Sequence, residues 1–597
     1  MKKQPFATLS LAEIAQIKRV EIERFRKIDS GLLEHRFFLR PVTVKILILV
    51  DDGISFNQFY FGLSEVLDTL NNNPEWWVNF EITKAHRSSD PNKPPPGPAF
   101  DLYGPDHESF RFTQAGFNMN DYDQLWLYGF RSGVSFPASL NDNELEIVYR
   151  WMNEKQGGIL AMGDHASLGE ALCSRIPRVR NMRKWRFDAS GTDPDSAPSN
   201  TGANRHDTLV KGHDYSGTGG INEANQYTFD DESDDIPMSI RLRWYYSFSW
   251  PHFTPVHWYW PYRFRKHPHP VLCGKNGAIK ILPDHPHEGE VIVPSDLTLQ
   301  PSFNTYQFDE YPSTGTSRIS PEIIAWASVQ DDHTAADFKG VVNSKEFGAI
   351  GAYNGHTVNV GRVIVDSTWH HWFDVNLTGR MNFNSDIPVP PGPPNLDNTG
   401  DPHKLNGFND TAAGIAALNK IRNYYRNVAI WLSPPDKIDR MNLVLLWNSI
   451  FRYPLYADLT PFMPAWVLGH HAIDVLGKYA GSCNVRGIWW PLVKQVKMAT
   501  LFDPKKLLVP VDLLQQLDEF MIGGILKVML QERENVLQKD EKQPDIGKLS
   551  KMAEEGLQKG LNELREFVAE KEITEKNLFS FLNSIEAGGK GNPKENK

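Results

Sequence analysis

Histidines and carboxylates gather in three stretches of this chain. The first is Asp164-His165, inside Gly157-Gly158-Ile159-Leu160-Ala161-Met162-Gly163-Asp164-His165-Ala166-Ser167-Leu168-Gly169. The second is His285-Pro286-His287-Glu288-Gly289-Glu290, with Asp284 before it and His267-Pro268-His269-Pro270 upstream. The third is Asp366-Ser367-Thr368-Trp369-His370-His371-Trp372-Phe373-Asp374. Histidine titrates near neutral pH and serves as acid, base or metal ligand. In the first stretch Asp164 would orient the His165 imidazole, or both would ligate a metal; the plainer role is a helix cap beside a packed histidine. Alternating spacing in the second puts His285 and His287 on one side of an extended strand. With Glu288 they form a donor set suited to a divalent ion such as zinc, although the spacing matches no named zinc motif. A solvated His/Pro loop is the alternative. In the third, Asp366 or Asp374 would hold the tautomer of His370 or His371, unless the stretch is an aromatic plug closing the core.

Weaker signals are Asp51-Asp52, which suits Mg²⁺ but fits turn or cap duty better, and Arg205-His206-Asp207 with His213 in a polar segment. The run Trp244 to Phe264 would stack sugars or bases, or form a satellite core. There is no Gly-x-Ser-x-Gly elbow, P-loop or dinucleotide fingerprint.

The elements that must position these residues follow from periodicity. Thr43 to Val50 is a nearly continuous apolar run, as expected of a strand buried on both faces. A helix over Phe59 to Leu70 follows the turn Asp51-Asp52-Gly53, then strands at Trp77 to Thr83 and Tyr122 to Gly129. Asn141 to Lys155 reads as a helix with an Asn or Asp cap. Gly157 to Gly169 reads as a buried strand, a tight turn and a helix start. This alternation predicts an α/β fold: a parallel sheet with helices on both faces and its ligands at the carboxyl edge. The alternation stops between about 175 and 345, predicting a long loop-rich aromatic insertion. It resumes at Phe347 to Tyr353 and Gly361 to Ser367, which delivers Asp366, His370 and His371 to the sheet edge.

The domain organisation expected is a helical extension over 1–40, the α/β domain over 41–387 and a Pro/Gly-rich linker over 388–408 (PVPPGPP within it). A helical region over 409–587 and a polar tail over 588–597 complete it. Helices are predicted at Asn409 to Leu432, Asn442 to Ile450, Pro464 to Tyr479, Leu513 to Gln538 and Leu549 to Val568, and a leading one within Leu9 to Phe37.

At 597 residues several domains are expected. Apolar content of 40% with 23% charged residues describes a globular chain, and a net charge of −10 argues against general nucleic-acid binding. No apolar run approaches the roughly 20 residues of a membrane span. Three widely separated cysteines, Cys173, Cys273 and Cys483, argue against a disulfide framework and for a reducing, cytoplasmic setting.

The segment order resembles the class I glutamine amidotransferase-like superfamily, in particular its trehalose-utilisation (ThuA-like) branch. Gly163-Asp164-His165-Ala166-Ser167 stands where that superfamily has its Gly-x-Cys-x-Gly elbow, with His165 in the nucleophile's place. His269-Pro270-Val271 through Asp284 to Glu290 is similar to its later His-Pro and acidic segment, and Gly361-Arg362-Val363 through His370 to its closing strand. The resemblance spans roughly Val42 to Leu377 and implies a flavodoxin-like fold. It does not imply glutaminase activity, because the cysteine is absent and Cys173 lies beyond the elbow. The expected function is a hydrolase or carbohydrate-modifying enzyme built on Asp164, His165, His370 and His371. His269, Asp284, His287, Glu288 and Asp366 would contact a small-molecule ligand, with a divalent metal at His285, His287 and Glu288. Its competitors are a non-catalytic ligand-binding module whose helical region binds a protein partner or a second copy, and a nucleotide sensor suggested by the aromatic run.

Overall fold

The computed structural model describes residues 38–56, 61–88, 104–134, 138–163, 168–187, 196–197, 238–246, 266–274, 277–282, 290–315, 317–329, 345–367, 369–378, 407–409, 412–452, 459–476, 511–539 and 544–588. The chain divides into two units, one of residues 41–438 and one of residues 1–40 with 439–597.

The first unit is built on a ten-stranded mixed sheet. Its strands are β1 (Val42–Asp51), β2 (Val78–Arg87), β3 (Gln124–Tyr128), β4 (Gly158–Met162), β5 (Arg183–Lys184), β6 (Arg241–Leu242), β7 (Glu290–Val291), β8 (Glu322–Val329), β9 (Lys345–Tyr353) and β10 (Val363–Asp366). The order is β2-β1-β3-β4-β10-β9-β7-β5, with β8 beside β9 and β6 beside β8. The first five positions in that order are parallel neighbours, and every pairing beyond β10 is antiparallel. The expected loop-rich insertion therefore contributes to the sheet itself. Short segments of it, β5, β6, β7 and β8, extend the sheet.

The strand interiors alternate cleanly. Leu47, Leu49, Leu125, Leu127, Ile159, Ala161, Val363 and Val365 pack with Leu145, Val148 and Tyr149 of helix α2 (Asp142–Arg150). The intervening residues face the other way, where Trp126 and Tyr128 meet the Trp372 ring at 6.0 and 5.6 Å. Trp372 in turn stacks on Tyr425, 4.8 Å away. Tyr425 belongs to helix α5 (Ala412–Trp431), which also touches α1 (Ser64–Asn71). Helices thus cover both faces, and the helix expected to open the C-terminal region packs on the sheet. Asn141 caps α2 in a capping box with Glu144. The expected helix to Lys155 ends as a π-turn over Trp151–Lys155.

The second unit is helical. It holds most of α6 (Pro435–Arg452), with α7 (Ala465–Leu476), α8 (Val511–Lys539) and α9 (Ile546–Gly588). The apolar stripe of α8, including Phe520, Ile522, Ile525 and Met529, is buried within its own unit. Helices α7 and α8 approach so closely that a methyl group on Gly523 would strike the Ala465 carbonyl.

Among the described residues no helix is long and apolar enough to cross a membrane. Cys273 is disulfide-bonded, correcting the expectation of wholly reduced thiols. An odd, dispersed cysteine count argues against a framework of several bridges, not against one. Cys173 is free and buried.

Candidate functional site

Registers across the five parallel neighbours align one residue from each at the carboxyl edge: His86, Val50, Tyr128, Met162 and Asp366. In-register residues of parallel strands share a face, here the face covered by Trp372 and α5.

Asp366 is fully buried, and one carboxylate oxygen serves three donors. His371 Nε2 lies at 2.7 Å, the Tyr424 hydroxyl at 2.9 Å and Trp372 Nε1 at 3.1 Å. A carboxylate accepts only, so the His371 proton toward it sits on Nε2. The other ring nitrogen, Nδ1, has no hydrogen-bond partner among the described residues. The Tyr425 hydroxyl donates to the His371 carbonyl and fixes the backbone. His370 points elsewhere and accepts from the Asn376 amide at 3.2 Å. Asp374 in helix α4 (Asp374–Leu377) caps α1 from a distance, accepting from Ser64 Oγ at 2.6 Å and the Glu65 amide at 3.0 Å. Burial pushes its carboxyl up to about 8.

The adjoining junction of β1 and β3 is held by Asp51. Its carboxylate accepts from the amides of Phe130 at 2.5 Å and Arg131 at 3.0 Å, while Asp52 pairs with Arg131 at 3.2 Å. Burial raises Asp51 to about 7 against the pull of those two amides. Phe130 stacks on Trp369 at 5.3 Å, with Phe61 and Phe373 set edge-on around them. The backbone flanking the end of β4 is equally close-packed. A methyl group on Gly129 would lie 2.7 Å from Gly169 Cα, and one on Gly163 would lie 2.6 Å from Arg183 Nη1. Arg183 Nη2 donates to the Ser367 carbonyl at 3.2 Å. Burial pushes the Cys173 thiol well up, which disfavours the thiolate that a nucleophile needs.

One property separates this edge from ordinary packing. The Tyr128 hydroxyl, Ser367 Oγ, Trp369 Nε1, His371 Nδ1 and both ring nitrogens of His86 are buried and lack a hydrogen-bond partner among the described residues. The Ile54 backbone approaches the His86 ring without completing a bond, and burial pulls the imidazole below its usual range. Each such group costs about 1–3 kcal/mol, and most buried polar groups in native proteins are satisfied.

Of the residues singled out from sequence, Asp366, His370 and His371 lie together here. His269 lies elsewhere: its ring meets Trp431 at 4.7 Å, beside Arg362 at the amino end of β10. Burial drives that imidazole down to about 3. Asp164, His165, Asp284, His285, His287 and Glu288 fall outside the described residues. Among the described residues no three His, Cys, Asp or Glu side chains gather to hold a metal. His86 and Tyr128 escaped notice because the second strand runs to Arg87, past the predicted end at Thr83, and because a tyrosine at a strand end carries no motif.

Comparison with family models, curated proteins and solved structures gives no match to this chain.

Proposed function

We infer that the carboxyl edge is a small-molecule site, and that the chain is a hydrolase or carbohydrate-modifying enzyme of flavodoxin-like topology. The observation that carries this reading is the set of unpartnered buried polar atoms at that edge, beside the Asp366–His371 pair. The parallel strands, taken in chain order, lie 2-1-3-4-5. Folds with that order bind ligands where it reverses, between the first and third strands, which here end at Asp51 and Tyr128. His371 Nδ1 would take a proton, with Asp366 stabilising the resulting imidazolium. Asp164 and His165 follow the strand that pairs with β10 and would complete the edge, in keeping with the amidotransferase-like resemblance. A metal at His285, His287 and Glu288 would supply Lewis acidity.

A second reading has its own support. Asp366 and His371 are both fully buried and bonded to each other, as expected of a keystone in a binding module without turnover. One experiment decides between them. Purified protein is screened against chromogenic esters and glycosides, and in parallel by thermal shift against small-molecule ligands. His86→Ala, Tyr128→Phe and His165→Ala are compared with Glu146→Ala, a change at an exposed ion pair. Turnover lost at least about tenfold in the first three, with Tm unchanged, supports the enzyme. Ligand-induced shifts without turnover support the module. Neither turnover nor shift would remove both.

A further inference from the structure

A second group of buried polar residues lies away from that edge. Arg178 has a left-handed backbone, φ 71°, which a residue with a side chain adopts only where its surroundings enforce it. Its guanidinium is fully buried and bonded to neutral oxygens: Nε to the Glu310 carbonyl at 2.7 Å, and Nη2 to Asn153 Oδ1 at 2.5 Å. Asn153 belongs to the π-turn over Trp151–Lys155.

The neighbouring carboxylate does not bond that guanidinium. Glu310 accepts from the Arg178 amide at 2.6 Å and from Arg180 Nη2 at 2.6 Å. Arg318 is taken by Asp309 at 3.2 Å. The carboxylate is spent on Arg180, so the positive charge of the fully buried Arg178 has no bonded counter-ion among the described residues. Bonds to neutral oxygens do not offset the loss of hydration of such a charge.

Two donors beside it remain unused. Arg178 Nη1 and the Tyr353 hydroxyl are within reach of each other, but neither makes a hydrogen bond of good geometry among the described residues, and both are buried. The guanidinium carbon is 5.8 Å from the Tyr353 ring centre, and its charge opposes the burial that pushes that phenol up to about 12. The hydroxyls of Tyr149 and Tyr311 are occupied by the Asp309 and Arg178 carbonyls, at 3.0 and 3.3 Å. Tyr311 stands edge-on to Tyr353 at 5.5 Å, an aromatic wall beside the hydroxyl.

We propose that Arg178 Nη1 and the Tyr353 hydroxyl bind a small monovalent anion of chloride size. The ion neutralises Arg178 and ties the end of α2, β9 and the segment carrying Glu310 together. This site is independent of the carboxyl edge.

The test is the Tm of the full chain at fixed ionic strength as chloride replaces gluconate. A saturable rise of about 2–4 °C is expected. Tyr353→Phe keeps the ring and removes only the hydroxyl. It should move the chloride midpoint up about tenfold or more, the cost of one hydrogen bond to a charged group. Arg178→Gln should abolish the response. Should that variant not fold, crystals grown in bromide give the same answer through an anomalous peak within hydrogen-bonding distance of Arg178 Nη1 and Tyr353 Oη. Identical Tm in both salts, or a bromide crystal with no peak there, overturns the proposal.

Discussion

His86 and Arg87 are consecutive residues at the end of β2, and they face opposite sides of the sheet. Arg87 is fully buried and satisfied: both Nη atoms reach Glu144 at 2.8 Å, while Nε and Nη2 also reach the carbonyls of Ala138 and Ser139. Glu144 in turn accepts the amides of Phe112 and Asn141. Asp51, in register with Arg87, is held by two backbone amides. On the other face His86 and Tyr128 have no hydrogen-bond partner among the described residues. The same strand ends therefore close the fold on one face and leave donors and acceptors unspent on the other. At these strand ends saturation accompanies the Arg87 face, and unmet polarity the His86 face, where the ligand proposed above would gain its binding energy.

The largest expected effect tests the saturated face. Arg87→Met strands a buried Glu144 and should cost about 3–5 kcal/mol in chemical denaturation. A loss below about 1 kcal/mol would show that water reaches the pair.

Acidity gives a second, smaller effect. Asp51 and Asp374 stand at about 7 and about 8 when folded, against an ordinary value of 3.8. The folded state therefore binds these protons more tightly than the unfolded chain. Their contribution is complete below about pH 4 and is lost as pH rises through 7 and 8. Unfolding free energy should fall by on the order of a few kcal/mol from pH 5 to 8, and Asp51→Asn should flatten the lower part of that slope. A wild-type stability that rises across this range would contradict the neutral buried carboxyls.

The unsatisfied face should respond least in stability. Tyr128→Phe removes a hydroxyl that has no partner, so stability should hold or rise by up to about 1 kcal/mol. A marked drop in Tm would mean the hydroxyl is bonded, and the contrast between the faces would disappear. As a reference, Glu146→Ala breaks a surface helix pair with Arg150 and a bond from Asn304, and should lower the Tm least among the destabilising changes.

Much of the parallel half of the sheet is legible from residues alone. Thr43 to Val50 and Gly158 to Met162 are continuous apolar runs, and Asp366, His370 and His371 are placed by the strand before them. The reading fails where tertiary partners override local pattern. The strand expected to end at Thr83 continues through Lys84, His86 and Arg87, polar residues that β1 alongside and Glu144 beneath hold in the sheet. β5, β6 and β7 are two residues long and carry no periodicity. β8 has register shifts between Ile323 and Trp326 that break its alternation. Tyr424 reaches Asp366 across 58 positions, a partnership no spacing rule conveys.

The remote cap on α1 bears on how this unit assembles. Asp374 and Ser64 are 310 positions apart, and β10 joins β4 only after the whole insertion has been traversed. Helix α1 therefore lacks this cap, and the sheet's central pairing stays unmade, until more than half of the 597 residues have been synthesised. Contacts so distant along the chain slow folding, because their loop-closure entropy is lost before they contribute. The early β1-α1-β2 segment should emerge as a partly ordered intermediate with an exposed β1 edge, open to misassociation until β3 and Asp374 arrive.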